Sequence, residues 1–303
     1  MKALAFLNKP TYWFRPSQVL SRLARRHSQG LEDVRLAWGT TITCNTTELI
    51  GRSILNQGVY DLVVSEAICR LLSVGGTAVD VGANVGHMTG LMAKRAGPFG
   101  LVISFEPSSR IRKTLSRNVA RWGSDPRFAR ISINASAVSD RQGTCSLYYP
   151  SNVFSSNEGT ASLNQSWAGG GLASESEVVD TTTLDNALSG ETGLIDVLKI
   201  DVEGHELGVL KGANDLLMKK QVVHIIFEDF EQYPSHVHQL LEKRGYKLYR
   251  LVRSFVRIQA IEPSDRSVYP IDVMLNYLAT IEPQAVEQAF SRWGWSALRS
   301  SFR

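Results

Sequence analysis

Cysteine is scarce in this chain of 303 residues: Cys44, Cys69 and Cys145 are far apart and form no Cys-x-x-Cys pair. A disulfide framework or a cysteine-based zinc site is therefore not expected, and a reducing cytoplasm fits. No run approaches the roughly 18 uninterrupted apolar residues that a bilayer span needs. The opening stretch, MKALAFLNKPTYWFRPS, is broken by Asn8, Lys9 and Pro10 and lacks a small-residue cleavage site, so no secretory signal is read there. There is no internal repeat, which sets aside solenoid architectures. What remains is the composition of a globular core, with 43% hydrophobic and 20% charged residues.

A basic body is also missing. The first 35 residues carry seven basic groups (Lys2, Lys9, Arg15, Arg22, Arg25, Arg26, Arg35) against Glu32 and Asp33, while the whole chain nets only +4. A basic arm thus precedes a nearly neutral body, and a nucleic-acid partner is not expected. Residues 17–28 (SQVLSRLARRHS) put Val19, Leu20 and Leu23 on one side and Arg22, Arg25 and Arg26 largely on another, the pattern of a short amphipathic helix. The arm reads as a solvated helix, with a weak contact to a membrane or an acidic ligand as the alternative.

From residue 62 the pattern alternates between strand and helix. LVVSEAICRLLSV reads as a helix, TAVDVG as a buried strand, NVGHMTGLMAKRA as a helix stopped at Gly97-Pro98, and LVISFEP as a strand. A helix over SSRIRKTLSRNVARWG and a strand over ISINASAV follow. Such alternation predicts a parallel sheet with helices on both faces. Residues 150–176 break it with a run rich in Ser, Asn and Gly, a length and composition typical of lids, binding loops or disorder. The rhythm resumes at EVVDTTTLDNAL, LIDVLKID, HELGVLKGANDLLMKK and VVHIIFED. A helix near 235–244, strands near 246–258 and 272–278, and a last helix over 283–298 close the chain. The expected division is a basic helical extension over 1–45, a catalytic domain over 46–280 and a helical tail over 281–303.

The sharpest local signal is Asp80-Val-Gly82-Ala83-Asn84-Val-Gly86 between a strand and a helix. Gly82 and Gly86 allow a tight turn and close backbone approach, and Asn84 tolerates positive φ. The helix N-terminus beyond presents unpaired N–H groups that suit a carboxylate. Glu106 ends the next strand 20 residues after Gly86, the spacing of a carboxylate that binds ribose hydroxyls. Its plain alternative is a solvated strand-end carboxylate. A dinucleotide loop would carry Gly at position 87; His87 stands there and would crowd a pyrophosphate, which favours S-adenosylmethionine over NAD.

Farther on, Asp196-VLKIDVEGHELGVLKG-Ala213 resembles the signature of FkbM-type methyltransferases, with VDVGANVGHMT, FEPS and VDTTTLD185 resembling the family's other motifs in order. The likeness covers roughly residues 55–280. It implies a Rossmann-like class I methyltransferase: an α/β fold with a mostly parallel seven-stranded sheet and helices on both faces. It implies S-adenosyl-L-methionine as cofactor, with Asp80, Gly82, Ala83, Asn84, Gly86, Glu106, Ser108, Asp140 and Asp201 around it. Lys199, Asp201, Glu203, His205 and Glu206 would surround the reacting centre.

Strand alternation puts Lys199 and Asp201 on one side and Leu198, Ile200 and Val202 on the other. Lys199 serves the site or forms an internal salt bridge. His205 is the first candidate base, because its ordinary pKa is near neutrality, unless it merely starts the next helix. Glu203 and Asp201 compete for that role, Asp201 could instead hold the methionine amino group, and Glu228, at the end of the VVHIIFE strand, is a further candidate to face the same cleft. Acids at 201, 228 and 229 have no spacing that demands a metal, and none is expected. The implied reaction is O-methylation of a hydroxyl on a sugar, glycan or natural-product scaffold. The alternatives are a nitrogen or nucleic-acid methyltransferase and a non-catalytic cofactor-binding module. Against the former, the place of an Asn/Asp-Pro-Pro-aromatic motif reads Asp201-Val-Glu-Gly.

Overall fold

The computed structural model describes residues 10–14, 30–149, 161–163, 175–190, 193–265 and 275–300. The predicted helix at 17–28 and most of the 150–176 loop, including Phe154 and Trp167, lie outside them.

The strands are β1 (Leu31–Arg35), β2 (Thr41–Asn45), β3 (Thr77–Val81), β4 (Leu101–Phe105), β5 (Arg130–Asn134), β6 (Ala137–Val138), β7 (Gly143–Tyr149), β8 (Glu175–Thr182), β9 (Ile195–Ile200), β10 (Val222–Glu228), β11 (Lys247–Arg253), β12 (Ile258–Ile261) and β13 (Asn276–Thr280). The main sheet has the order β12-β11-β13-β10-β9-β3-β4-β5. Strands β5, β4, β3, β9 and β10 run parallel, while β13 pairs antiparallel with both β10 and β11.

Each central strand is apolar on both faces because each face meets its own helical layer. Ala78, Val102, Val197, Ile226 and Leu278 belong to one core, together with Ile68, Leu91 and Phe290. Their sequence neighbours Val79, Ile103, Leu198, Ile225 and Ala279 belong to the other, together with Val209, Leu217 and Leu241. The first layer holds the helices Leu62–Leu71, His87–Ala96 and Pro283–Ser291; the second holds Glu206–Lys211, Asn214–Met218 and His236–Lys243.

The expected Rossmann-like arrangement is present, with three differences. The sheet has eight strands rather than seven, because the stretch near 246–258 is a hairpin, β11–β12, bonded from Arg250↔Ile261 to Arg253↔Ile258. The segment ISINASAV is two strands: β5 closes the main sheet, and β6 joins a separate sheet of order β6-β8-β7. Residues 31–45, expected as part of a helical extension, form the β1–β2 hairpin, whose Val34, Ile42 and Cys44 enter the main core. The tail is a helix over Pro283–Ser291 followed by a short 3-10 turn, Ser296–Leu298.

The tail is pinned by charge. Arg70 donates to the carbonyls of Ala289 (2.6 Å), Arg292 (2.9 Å) and Gly294 (2.7 Å), and its Nε lies 2.6 Å from Glu66. Glu66 Oε2 accepts the Ala297 N–H at 2.8 Å. Ala289 lies in the last turn of the Pro283–Ser291 helix and Arg292 caps it, places where a helix leaves carbonyls unpaired.

Candidate active site

Two loops at the carboxyl ends of β3 and β9 meet face to face, where open α/β sheets hold their ligands. After β3, Gly82, Asn84 and Gly86 have φ of 79°, 52° and 93°. A Cβ at Gly82 would collide with the Asp201 carbonyl, and one at Gly86 with Leu115. These glycines let protein pack on protein: Gly82 brings the two loops together and Gly86 seats its helix start. After β9, Glu203 and Gly204 also take positive φ, 52° and 89°. Glu206 holds that turn, accepting the N–H groups of Val202 and Gly204, each at 3.2 Å.

Lys199 ties the loops from below. Its ammonium lies 3.2 Å from Asp80, 3.4 Å from Asp201 and 3.3 Å from the Gly82 carbonyl. Burial opposes its charge, but Asp80 and Asp201 outweigh that and push its pKa above the usual lysine value. Asp80, wholly buried, also accepts from Thr89 at 2.7 Å.

Above this floor lies a cleft with an empty volume of about 920 Å³. Gly82, Ala83, Asn84, Glu106, Lys199, Asp201 and Glu203 line it, so the structure brings these expected residues together. Glu106 accepts the N–H of Asn84 at 2.8 Å and of Ser108 at 2.9 Å. Burial pushes its carboxyl up to about 7 despite these two bonds. Ile111, Ala137, Val138, Leu147 and Leu163 add an apolar wall beside it. A buried carboxylate next to an apolar slot fits a ribose and its base, and the acids at 201 and 203 fit an ammonium group.

Other expected residues stand elsewhere. Asp80 and Gly86 lie behind the cleft, not on its lining. Ser108 caps the Ser109–Gly123 helix and lies 2.8 Å from the Tyr149 hydroxyl. Asp140 is exposed, 3.3 Å from the Ser139 hydroxyl. His205 lines neither of the cavities found here: its Nε2 lies 2.9 Å from Ser139 Oγ and its ring covers Gly208. It caps its own helix, the plainer of its two readings.

Residues not singled out for the site complete it. Tyr60, just before the Leu62–Leu71 helix, lines the cleft with His87, whose Nε2 accepts the Tyr60 N–H at 3.3 Å. Burial pulls His87 down to about 3, so it is neutral. Leu147 comes from β7 and Leu163 from the segment between β7 and β8, where Ser162 pairs with Tyr148 and donates to the Glu203 carbonyl at 2.8 Å. A second cavity, of about 310 Å³ empty volume, opens off the cleft past Tyr60, Met88, Lys199 and Asp201, and reaches Glu228 and Asn276. Among the described residues no group of three or more His, Cys, Asp or Glu could hold a metal ion, and no helix is long and apolar enough to cross a membrane.

The methyltransferase FkbM domain model matches residues 80–248, more than half of the chain and the whole of both loops. The chain belongs to the FkbM methyltransferase family. The matched segment is a methyltransferase domain, whose cofactor is S-adenosylmethionine. It is 30% identical to the AMB antimetabolite synthetase AmbE of Pseudomonas aeruginosa over 62% of its own length, but spans only 10% of that protein. It is 27% identical to methyltransferase sdnD of Sordaria araneosa, over 57% of this chain and 74% of that one. Among solved structures, the FkbM methyltransferase of Methylobacillus flagellatus is 15% identical with a TM-score of 0.45, covering 69% of this chain and 44% of its own. A SAM-dependent O-methyltransferase of Thermotoga maritima is 16% identical with a TM-score of 0.43, over 82% and 77%.

Proposed function

We propose that this enzyme is an O-methyltransferase that acts on a hydroxyl of a small molecule, a sugar or a natural-product scaffold. The observation that carries this reading is the second cavity. It opens off the cofactor cleft at Tyr60, Met88, Lys199 and Asp201, where an acceptor group would meet the bound cofactor. Its rim is acidic and amide-bearing, with Asp61, Asp201, Glu228 and Asn276, a lining that suits hydroxyl groups and repels phosphates. Lys199, the cation at the junction, is already matched by Asp80 and Asp201. AmbE is an antimetabolite synthetase, which supports a natural-product acceptor.

When bound, S-adenosylmethionine supplies an activated methyl group with a thioether leaving group. The chain aligns the acceptor oxygen and removes its proton. Glu106 would hold the ribose hydroxyls, and Asp201 or Glu203 the methionine ammonium. Ala161 and Leu163, between β7 and β8, would add apolar contacts to the bound ligand.

Incubation with methyl-labelled S-adenosylmethionine and separate glycan, small-metabolite and RNA fractions tests the reading. Label is expected in a base-stable ether of a small molecule or glycan. Label in RNA alone, or on nitrogen, would overturn it.

A further inference from the structure

The second cavity contains one carboxyl that the fold does not use. Asp61 caps the Leu62–Leu71 helix, accepting the N–H groups of Val63 at 3.1 Å and Val64 at 3.0 Å, and its other oxygen accepts the Asn276 amide at 2.8 Å. Asp201 lies 3.4 Å from the Lys199 ammonium. The Glu228 side chain makes no hydrogen bond or ion pair among the described residues, although it is half-buried and lines the cavity. Its backbone is fixed: it is the last residue of β10, registered opposite Asn276 of β13, with the next N–H bonded to Leu275. A carboxyl with a fixed backbone and no side-chain partner, in the cavity that opens off the cleft, has no structural task.

We propose that Glu228 is the general base that takes the acceptor's proton, and that the positive charge of the bound cofactor is what makes it one. This rests on the cofactor and acceptor reading above. The groups that face Glu228 come from every neighbouring element: Tyr60 and Asp61 before the Leu62–Leu71 helix, Lys199 from β9, Asp201 just after it, and Asn276 from β13. Glu203 and Glu206 add charge from the turn after β9. Lys199 is matched by Asp80 and Asp201, so the surroundings are acidic on balance. Burial first, then Asp201, Glu203, Asp61 and Glu206, push Glu228 up to about 9. In the empty cleft it therefore holds a proton at neutral pH.

A sulfonium charge entering the adjacent cleft reverses that balance, and Glu228 gives its proton to solvent. In the transfer, its carboxylate receives the hydroxyl proton, the acceptor oxygen forms the bond to the methyl carbon, and the electron pair of the broken C–S bond stays on sulfur. Glu228 is then protonated beside a neutral thioether, which is its resting condition, so each turnover resets it.

Calorimetry at pH 8 in phosphate and in Tris, buffers of different ionisation enthalpy, counts the protons exchanged as S-adenosylmethionine binds. The wild type is expected to release about one proton more than Glu228→Gln, since a group titrating near 9 is roughly nine-tenths protonated at that pH. The difference should shrink with S-adenosylhomocysteine, whose sulfur is neutral. Equal proton counts for wild type and variant, or equal differences for the two ligands, would overturn the proposal. If the variant does not fold, infrared difference spectra of the wild type decide: the protonated-carboxyl C=O band must vanish with S-adenosylmethionine and persist with S-adenosylhomocysteine. Absence of any binding heat for S-adenosylmethionine would sink the cofactor reading, and this proposal with it.

Discussion

Lys199 and Asp80 are registered opposite each other in the β9–β3 pairing, with their charges 3.2 Å apart and their side chains 6% and 0% exposed. Removing one partner of a buried pair leaves an uncompensated charge, at a cost of about 3–5 kcal/mol. Lys199→Met is expected to lower unfolding stability by that much in urea titrations. Adding Asp80→Asn to it should recover part of the loss, because Thr89 still bonds that position. If the single variant is as stable as wild type, the pair is not what joins the two loops.

Gly82 tests the joint from the other side. Gly82→Ala places a methyl group against the Asp201 carbonyl at a φ of 79°. The loops must part, so S-adenosylmethionine affinity should fall at least about 10-fold with a stability loss of about 1–3 kcal/mol. Gly123→Ala, at a helix end with nothing within 4 Å of the new Cβ, is the control and should bind normally. Titration calorimetry on both variants checks this.

These two positions also show how far the sequence could be read. The glycine loop, Glu106 and the strand ending at Asp201 were legible because strand–loop–helix periodicity and spacing are local. The direction of a side chain behind a loop was not: Asp80 stands two residues before Gly82 but turns toward Thr89 and Lys199, and only the β3–β9 register decides that. A titratable residue at a strand-to-helix turn looks poised, but nothing in the sequence signals that His205 meets Ser139, which comes 66 residues earlier. Tyr60 gave no signal, since its place in the cleft depends on a helix packing 27 residues away on His87. The break inside ISINASAV was hidden because both halves are good strand sequence, and only pairing with β8 separates them.

Glu106 gives a binding prediction. Two backbone N–H groups and a buried environment leave its carboxylate facing the cleft. Glu106→Ala should weaken S-adenosylmethionine binding by about 2–3 kcal/mol, the value of two charge-assisted hydrogen bonds. Because burial raises its pKa to about 7, wild-type affinity should also climb between pH 6 and 8 as the carboxylate forms. A folded alanine variant of unchanged affinity would remove Glu106 from the cofactor site.

The pH dependence of stability follows from Glu228. An unfolded glutamate loses its proton near 4.3, whereas the folded one holds it to about 9. Between those values the native state binds the extra proton, so stability falls as pH rises. Below pH 7 the neutral, buried His87 and His224, pulled down to about 3 and about 4, act in the opposite sense. The window from pH 7 to 8.5 is therefore the informative one. The ligand-free protein should lose thermal stability across it, and Glu228→Gln should flatten the slope. A wild-type melting temperature that rises over this window would contradict the assignment.

The last prediction concerns the insertion between β7 and β8. Ser162 is 1% exposed, bridges to Tyr148 and donates to the carbonyl of Glu203 at 2.8 Å. Its neighbours Ala161 and Leu163 line the cleft, and Leu147 joins them from β7. One hydroxyl thus fastens the insertion to the turn whose residue Glu203 is held at a φ of 52°. Ser162→Ala removes that tie from the half-buried Glu203 carbonyl, a change of about 1–2 kcal/mol. With the insertion loosened, bound S-adenosylmethionine should dissociate roughly 5–30-fold faster while its association rate stays within about twofold, since affinity changes at a fixed interface act mainly on dissociation. Ser162→Thr, which keeps the hydroxyl, should restore slow dissociation if the added methyl is tolerated. Stopped-flow measurement of cofactor release checks both variants. A Ser162→Ala enzyme with wild-type release would mean that the Ser162–Glu203 tie does not hold the cofactor, and the apolar contacts of Leu147 and Leu163 would then be the next to test.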